Sequence, residues 1–340
     1  MGMALNIDAT VDAISKSQNL EVILVGRREE IEGYLAKKHY GFDELSIVDA
    51  KNVVSMHDNP ISAARDADNS ISRGISLVRD GSADAFVSVG NTGAIAAAAF
   101  MRLGRLPNIE RTPILGVFPS MTGKPTAVLD MGANVDCRPT HLLTFSMLGA
   151  VYAEQIMERE NPKVALLSIG EEGNKGNATT KEAHSIISKN AEKLGINFIG
   201  NIEGGDILSG KADVIVCDGF IGNILLKYTE SIYSLVKMLF KKGRRISFLS
   251  LIGGLLLYPS LKRTIKDFNY AEYGGAPLLG VDGNVVIGHG TSSAKAITNA
   301  ILLAQQMALA KLPQSMLKAA EKLGELKNEN KNSGNRVVRS

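Results

Sequence analysis

The amino-acid sequence predicts an α/β fold in which a mostly parallel, doubly wound sheet lies between helices in a three-layer arrangement. Short runs rich in Val, Ile and Leu alternate with longer helical patterns along the 340 residues. Because these runs contain few polar residues, we expect them to be buried on both faces, as strands of a helix-covered parallel sheet are. Four of the runs end in turns rich in Gly and Asn, which is typical of the ligand-binding edge of such sheets.

The individual elements are predicted from β-branched runs and from helical spacing between those runs. Strands are predicted at 20–26, 45–50, 84–90, 113–119, 125–131, 163–170, 196–202, 212–219 and 284–290. Helices are predicted at 28–39, 61–80, 92–104, 139–159, 178–194, 221–242 and 291–311. We expect residues 1–325 to form a single α/β domain with a central cleft, and the polar residues 326–340 to be a disordered tail.

Composition and charge exclude several classes of function. The net charge of +3, the lack of Trp and the 5% aromatic content predict no nucleic-acid partner. The two cysteines, Cys137 and Cys217, stand in no CxxC motif, which indicates a reducing compartment. The sequence has no HExxH motif, no His/Cys cluster with metal spacing and no GxxxxGK[ST] loop, so we expect neither a metal nor another cofactor.

Four turns carry the pattern that is most informative about chemistry. They are "SVGNTGA" (88–94), "LDMGANVD" (129–136), "SIGEEGNKGN" (168–177) and "CDGFIGN" (217–223). Gly lets backbone N–H groups approach an anion, and the helix that follows adds a positive dipole end. One such turn alone is compatible with a simple tight turn. Four of them predict a shared anion-binding cleft, and the lack of a GxSxG motif favours catalysis by positioning and electrostatics.

These four motifs stand in order with "NIEGGDILSGKADVIVCDGFIGNILLK" (201–227), "YGGAPLLGV" (273–281) and "GHGTSSAKAI" (288–297). The chain thereby resembles the bacterial acyl-ACP:phosphate acyltransferase family of phospholipid synthesis. The resemblance implies a homodimeric enzyme that makes acyl phosphate from a fatty acyl thioester of acyl carrier protein and inorganic phosphate, without metal. It also implies a fold similar to phosphotransacetylases and isopropylmalate-type dehydrogenases.

The resemblance further implies a cytoplasmic protein that associates peripherally with an anionic membrane surface and passes its product to a downstream membrane acyltransferase. Two departures from the family pattern accompany it. A first strand and its Gly-Gly-Asp-His-type turn, expected before the stretch that matches Ala4–Ile14, are missing. In "HDNPISAARDADNS" (57–70), Asp66 and Ala67 follow Arg65 where the family has an Arg-Lys-Lys run. His57 and Arg65 remain candidates for substrate binding.

Attack of phosphate on a thioester needs an anion cradle, an oxyanion stabiliser and stabilisation of the leaving thiolate. We expect phosphate to bind at Asn91, Thr92 and Gly93, with Lys175 or Lys227 supplying positive charge. The alternative for each lysine is an ordinary solvated surface position.

Further candidates lie in the other Gly turns. His289 is expected to donate to the oxyanion or to protonate the thiolate, and its alternative is a turn histidine bonded to backbone. Asn223 is a third catalytic candidate, beside Lys227 and His289. Asp130, Asn134 and Asp218 are candidates for substrate binding, where we expect the carboxylates to orient amides and lysines rather than to act as bases.

One segment fits none of these roles, namely "KKGRRISFLSLIGGLLLYPSLKR" (241–263). Its apolar run is shorter than the ~20 residues that a membrane-spanning helix needs. We assign it to a helical excursion at 236–268 that contacts an anionic bilayer through apolar side chains between flanking cations, or else forms a dimer interface. The expected membrane contacts are Phe248, Leu249, Ile252, Leu255, Leu256 and Leu257.

Three alternatives to the carrier-dependent enzyme stay open. The first is a phosphate acetyltransferase-like enzyme that uses a CoA thioester and would need a nucleotide pocket. The second is a nicotinamide-dependent hydroxy-acid dehydrogenase, which is disfavoured because no carboxylate cluster for a metal stands out. The third is a catalytically inactive scaffold at the membrane surface.

Overall fold

The computed structural model describes residues 2–41, 45–241, 274–290 and 292–337. Apart from 236–241, the predicted excursion at 236–268 lies outside these residues. The same holds for all of its expected membrane contacts, which are Phe248, Leu249, Ile252, Leu255, Leu256 and Leu257.

Helices and strands alternate along the described chain. The helices are α1 Met3–Lys16, α2 Arg28–Lys38, α3 Pro60–Arg65, α4 Ser70–Arg79, α5 Thr92–Arg102, α6 Pro139–Gln155, α7 Ala178–Leu194, α8 Gly219–Lys241, α9 Ala294–Leu309 and α10 Leu312–Val337. The strands are β1 Val22–Gly26, β2 Leu45–Asp49, β3 Ala85–Ser88, β4 Leu115–Phe118, β5 Thr126–Leu129, β6 Lys163–Leu167, β7 Asn197–Ile202, β8 Val214–Val216, β9 Ala276–Pro277 and β10 Asn284–Ile287. Every strand predicted from the sequence is therefore confirmed, with shorter bounds.

The helix predicted at 61–80 is in fact two helices. Asn69 ends the first and begins the second, because its side chain donates to the carbonyl oxygens of Ala63 and Asp66 and accepts from the N–H of Ser72. The buried side chain thus terminates α3 and caps α4.

The carboxyl-terminal residues also differ from the prediction. The tail expected to be disordered at 326–340 continues α10 as far as Val337. Leu323 and Leu326, three residues apart on this helix, are buried in the core and anchor it there. The polar residues that follow continue a helix that is already held in place. The sequence predicted neither this helix nor α1.

The strands form three sheets in place of the single sheet expected. One has the order β4-β5-β8-β6-β7, the second β3-β10-β9, and the third pairs β1 with β2. Neighbouring strands are parallel except for the pairs β4–β5 and β9–β10. An antiparallel bridge between Ile114 and Leu278 connects the edges of the two larger sheets.

The five-stranded sheet is buried on both faces, as the unbroken apolar runs predicted. Along β5, Ala127 and Leu129 pack into one core while Val128 packs into the other. The first core is shared with helices α6, α7, α9 and α10, and the second with α4, α5 and the start of α8. The α/β three-layer architecture is therefore confirmed for this sheet, and its carboxyl edge is left open to loops.

The amino-terminal helix α1 lies against α9. The hydroxyl of Thr298 donates to the carboxylate of Asp12 (2.9 Å) and lies 3.1 Å from the carbonyl oxygen of Ala9, which joins the beginning of the chain to its last third. Within the described ranges, no helix combines the length and apolar composition that crossing a membrane requires.

Candidate active site

The predicted Gly turns gather at the carboxyl edges of the two larger sheets. Strands β5, β8 and β6 are adjacent and parallel, so the turns that follow them, at 130–134, 217–223 and 168–177, are neighbours. In the second sheet β3 pairs with β10, and the N–H of Gly288 donates to the carbonyl oxygen of Ser88 (2.8 Å). The turn at 88–94 therefore lies beside the turn at 288–290.

The turn after β5 is organised around the carboxylate of Asp130. This carboxylate accepts hydrogen bonds from the backbone N–H groups of Ile114, Gly132, Ala133 and Asn134, at 2.6–3.2 Å. The residue is fully buried, and burial raises the pKa of the Asp130 carboxyl against the opposing effect of these hydrogen bonds. The anion that this Gly turn holds is thus a side chain of the protein itself, and Asp130 does not face the cleft.

Asn134 connects this turn to the neighbouring strand. Its side-chain N–H₂ donates to Asp130 (2.8 Å) and to the carbonyl oxygen of Thr112 (3.0 Å), just before β4. With 9% exposure it supports the turn from within rather than lining an open surface.

Helix α8 begins in close contact with the same turn. A Cβ at Gly222 would overlap the carbonyl oxygen of Asp130, and one at Gly219 would lie 2.7 Å from the carbonyl oxygen of Asn134. Asp218 accepts from the N–H of Ile221 (2.8 Å) and so orients the first turn of the helix. Asn223 is exposed on that first turn and lies next to Gly132.

Asn91 has partners different from those expected. Its side-chain N–H₂ lies 3.2–3.3 Å from the carbonyl oxygens of Ser55, Met56 and Asp58, and its Oδ1 accepts from the N–H of Ala94 (3.0 Å). The side chain is buried and fully occupied in joining the 55–58 loop to the start of α5. It therefore shapes the turn and does not present its amide to a ligand.

The remaining candidates near this turn lie in α5, in the 55–58 loop and at the end of α3. Thr92 is exposed at the first position of α5, and Gly93 leaves room for Pro60, which would lie 2.8 Å from a Cβ there. His57 is exposed in the loop that Asn91 holds. The same loop lies beside the 288–290 turn, since Cε of Met56 would be 3.2 Å from a Cβ at Gly290. Arg65 lies at the far end of α3, away from these contacts.

Two predicted catalytic residues from distant parts of the chain meet at Glu230 on α8. Its carboxylate lies 3.0 Å from Nζ of Lys227 and 3.7 Å from Nε2 of His289. Glu230 has 34% of its side chain exposed and His289 43%, so the group faces solvent without being fully open to it. Sequence reasoning missed Glu230, although its place three residues after Lys227 on a predicted helix was the available signal.

Lys175 lies apart from that group. It is exposed in the loop after β6, with its side chain folded over Gly170, which would meet it at 2.8 Å if a Cβ were present. Beneath the same loop, Oγ of Ser168 and Oδ1 of Asn201 are buried without a hydrogen-bond partner. In the part of the chain that the structure describes, no group of three or more His, Cys, Asp or Glu residues is placed to hold a metal ion.

The sequence of this chain is similar to those of known proteins over most of its length. The family model described as "Fatty acid synthesis protein" matches residues 2–315. A phosphate acyltransferase from Dictyoglomus turgidum is 42% identical over 318 residues, covering 93% of this chain and 94% of the relative. One from Halothermothrix orenii is 44% identical over 301 residues, covering 88% and 89%.

Solved structures extend the comparison to the fold. A phosphotransacetylase from Streptococcus pyogenes superposes with a TM-score of 0.61 at 20% identity, covering 88% of this chain and 91% of that one. A phosphotransacetylase from Staphylococcus aureus gives a TM-score of 0.61 at 15% identity, covering 89% and 92%. At these identities the likeness establishes a shared fold.

Proposed function

From the membership of this chain in the fatty acid synthesis protein family, as an acyltransferase of the phosphate acyltransferase type, we propose that it transfers a fatty acyl group from acyl carrier protein to inorganic phosphate. An oxygen of hydrogen phosphate attacks the thioester carbonyl carbon and forms the new C–O bond. The C–S bond breaks, and the proton lost by phosphate leaves on the thiol of the carrier. The products are acyl phosphate and free carrier.

The contact of Glu230 with Lys227 and His289 is the observation that carries the proposal. It places an ammonium group and an imidazole at one point between α8 and the 288–290 turn. The ammonium group attracts phosphate, and the imidazole donates to the developing oxyanion or to the leaving thiolate. Glu230 positions both groups. Because exposed ion pairs of this kind are weak, phosphate can draw Lys227 away at little cost.

The start of α5 further supports the binding of phosphate at this site. Thr92 presents its hydroxyl there, and the amino end of the helix carries partial positive charge. Asn223 is exposed one helical turn before Lys227 on α8, which suits contact with the thioester or the phosphate.

The wider setting is proposed on the same basis. We place the protein in the cytoplasm as a homodimer that touches anionic membranes peripherally and delivers acyl phosphate to a membrane acyltransferase. An acyl phosphate is an amphiphile, so release at a bilayer keeps its chain out of water.

The test uses the purified chain with acyl-ACP and radiolabelled phosphate. We expect label in a lipid-extractable product and phosphate-dependent release of carrier thiol. Lys227→Ala should lower kcat by roughly 100-fold, the usual effect of losing one donor to an anionic transition state. Thiol release that does not depend on phosphate would refute the proposal. Equal turnover of acyl-CoA would favour the acetyltransferase-like alternative, and no turnover of either thioester would favour the scaffold.

A further inference from the structure

A polar cavity of about 600 Å³ lies beside the candidate active site, at the end of the sheet where β4 begins. It is lined by Arg105, Glu110, Arg111, Asp136, Arg138 and His141, among others. All three arginines are exposed. None of these residues takes part in the chemistry proposed above.

The charge of this cavity is positive because its three arginines outnumber the carboxylates of Glu110 and Asp136, and Glu110 already has partners of its own. Glu110 contacts Nζ of Lys327 (3.0 Å) and Nε2 of the buried His141 (3.3 Å). The Lys327 ammonium holds the pKa of the Glu110 carboxyl below its usual range, so this residue stays ionised and engaged. Among the described residues, neither Arg111 nor Arg138 forms an ion pair with a carboxylate.

Arg105 is held in place by other contacts. It donates to the carbonyl oxygen of Glu110, and its guanidinium lies 4.9 Å from the centre of the Phe100 ring. A stacked guanidinium keeps its charge and loses little freedom when it meets a carboxylate. Within the described part of the chain, the cavity therefore presents one fixed arginine and two that form no ion pair with a carboxylate.

The backbone connects this surface to the active site. Arg111 immediately precedes Thr112, whose carbonyl oxygen accepts from Asn134 in the turn that packs against α8. Asp136 and Arg138 follow the same turn in sequence. A partner bound at the arginines would therefore lie beside the turn after β5.

We propose that this arginine surface, formed by Arg105, Arg111 and Arg138, is the docking site for the acidic face of the acyl carrier protein. The inference rests on the proposed function, since it assumes a thioester carried by a protein. Guanidinium groups match carboxylates in planar, two-point hydrogen bonding, and three arginines on one surface suit an acidic helix that carries several carboxylates. Opposite charge also speeds association and makes it sensitive to salt. Docking here brings the carrier to the edge of the cleft, within reach of a flexible arm that bears the thioester.

The experiment compares Arg111→Glu/Arg138→Glu with a control of equal charge change, Lys37→Glu/Lys51→Glu, whose lysines are exposed near the β1–β2 sheet. We expect the arginine variant to raise KM for acyl-ACP by about 100-fold, roughly tenfold per reversed pair. Its kcat at saturation and its activity on an acyl-pantetheine thioester should match wild type. The control should leave both substrates unaffected. Arg111→Gln/Arg138→Gln, which adds no repulsion, should give a smaller rise in KM.

The outcomes separate docking from catalysis. An unchanged KM for acyl-ACP in the glutamate variant, or equal loss on acyl-pantetheine, overturns the docking site while leaving the proposed function intact. Loss of binding to phosphatidylglycerol vesicles with an unchanged KM would assign the surface to lipid and also overturn it. Binding of the carrier protein can also be measured by fluorescence anisotropy. If the carrier binds wild type but not the arginine variant, and wild type forms no acyl phosphate, the docking site is supported and the proposed function is refuted.

Discussion

Glu230 joins two side chains that are 62 positions apart in the sequence, Lys227 on α8 and His289 after β10. It contacts each of them through a different carboxylate oxygen. A carboxylate shared in this way favours one direction for each donor before any substrate arrives. In the proposed reaction Glu230 therefore acts by orienting the two donors, and this effect can be measured in kcat separately from substrate binding.

Replacing Glu230 by Gln removes the charge and keeps the size of the side chain. We expect kcat for acyl phosphate formation to fall about three- to fivefold with little change in KM, because partly exposed ion pairs of this kind contribute up to ~1 kcal/mol. Steady-state kinetics on Glu230→Gln measures this. The matched control is Glu182→Gln on the exposed face of α7. A fall of equal size in both variants would remove Glu230 from the site.

Asp130 has the opposite character, since it is buried and surrounded by donors. Asp130→Asn places an N–H₂ group where the backbone and side-chain N–H groups of Asn134 now donate. Leaving such buried donors unpaired costs about 3 kcal/mol. Urea unfolding should show that loss with an unchanged m-value. A variant as stable as wild type would contradict the role of Asp130 as the internal anion of its turn.

Helix α8 links the two larger sheets, because it starts against the turn after β5 and carries Glu230 to the turn after β10. Its approach to the first turn depends on glycines. At Gly222 the obstacle to a side chain is backbone, the carbonyl oxygen of Asp130, so neighbouring rotamers cannot relieve it.

Gly222→Ala should therefore push α8 outward and lower both stability and kcat. We expect a loss of roughly 3 kcal/mol, as for other overpacked core sites. Gly33→Ala on α2 is the control, because nothing lies within 4 Å of a Cβ there, and alanine in a helix interior should stabilise by ~0.5–1 kcal/mol. Thermal unfolding of the two variants should shift in opposite directions. Equal shifts would mean that α8 tolerates displacement.

Helix α10 is anchored along only part of its length. Leu323 and Leu326 are buried, whereas the ion pair between Lys193 and Glu329 has 64% of each side chain exposed. Deleting residues 328–340 should change the free energy of unfolding by less than ~1 kcal/mol. Leu326→Ala should cost ~2–4 kcal/mol. A large loss from the deletion would show that the polar extension contributes to folding.

For the whole molecule, the sequence predicted strands better than their pairing. Each strand that was predicted from an apolar run is present in the structure, because burial on both faces leaves a pattern in neighbouring residues. Pairing leaves none, since β3 finds β10 only after about 200 intervening residues. The same limit applied to the site: the turns were predictable, but the self-supplied anion Asp130 and the shared carboxylate Glu230 depend on contacts between distant segments.

The pairing of β3 with β10 also has a consequence for how the protein is made on the ribosome. The five-stranded sheet is built from residues 115–202 and 214–216, so it can assemble while synthesis is still in progress. Strand β3 emerges before all of these, yet its parallel partner at 284–287 is the last of the described strands to emerge. The nascent chain therefore carries an unpaired strand edge through most of translation, exposed to aggregation and to chaperones. The meeting of Lys227, Glu230 and His289 is complete only when that last strand closes.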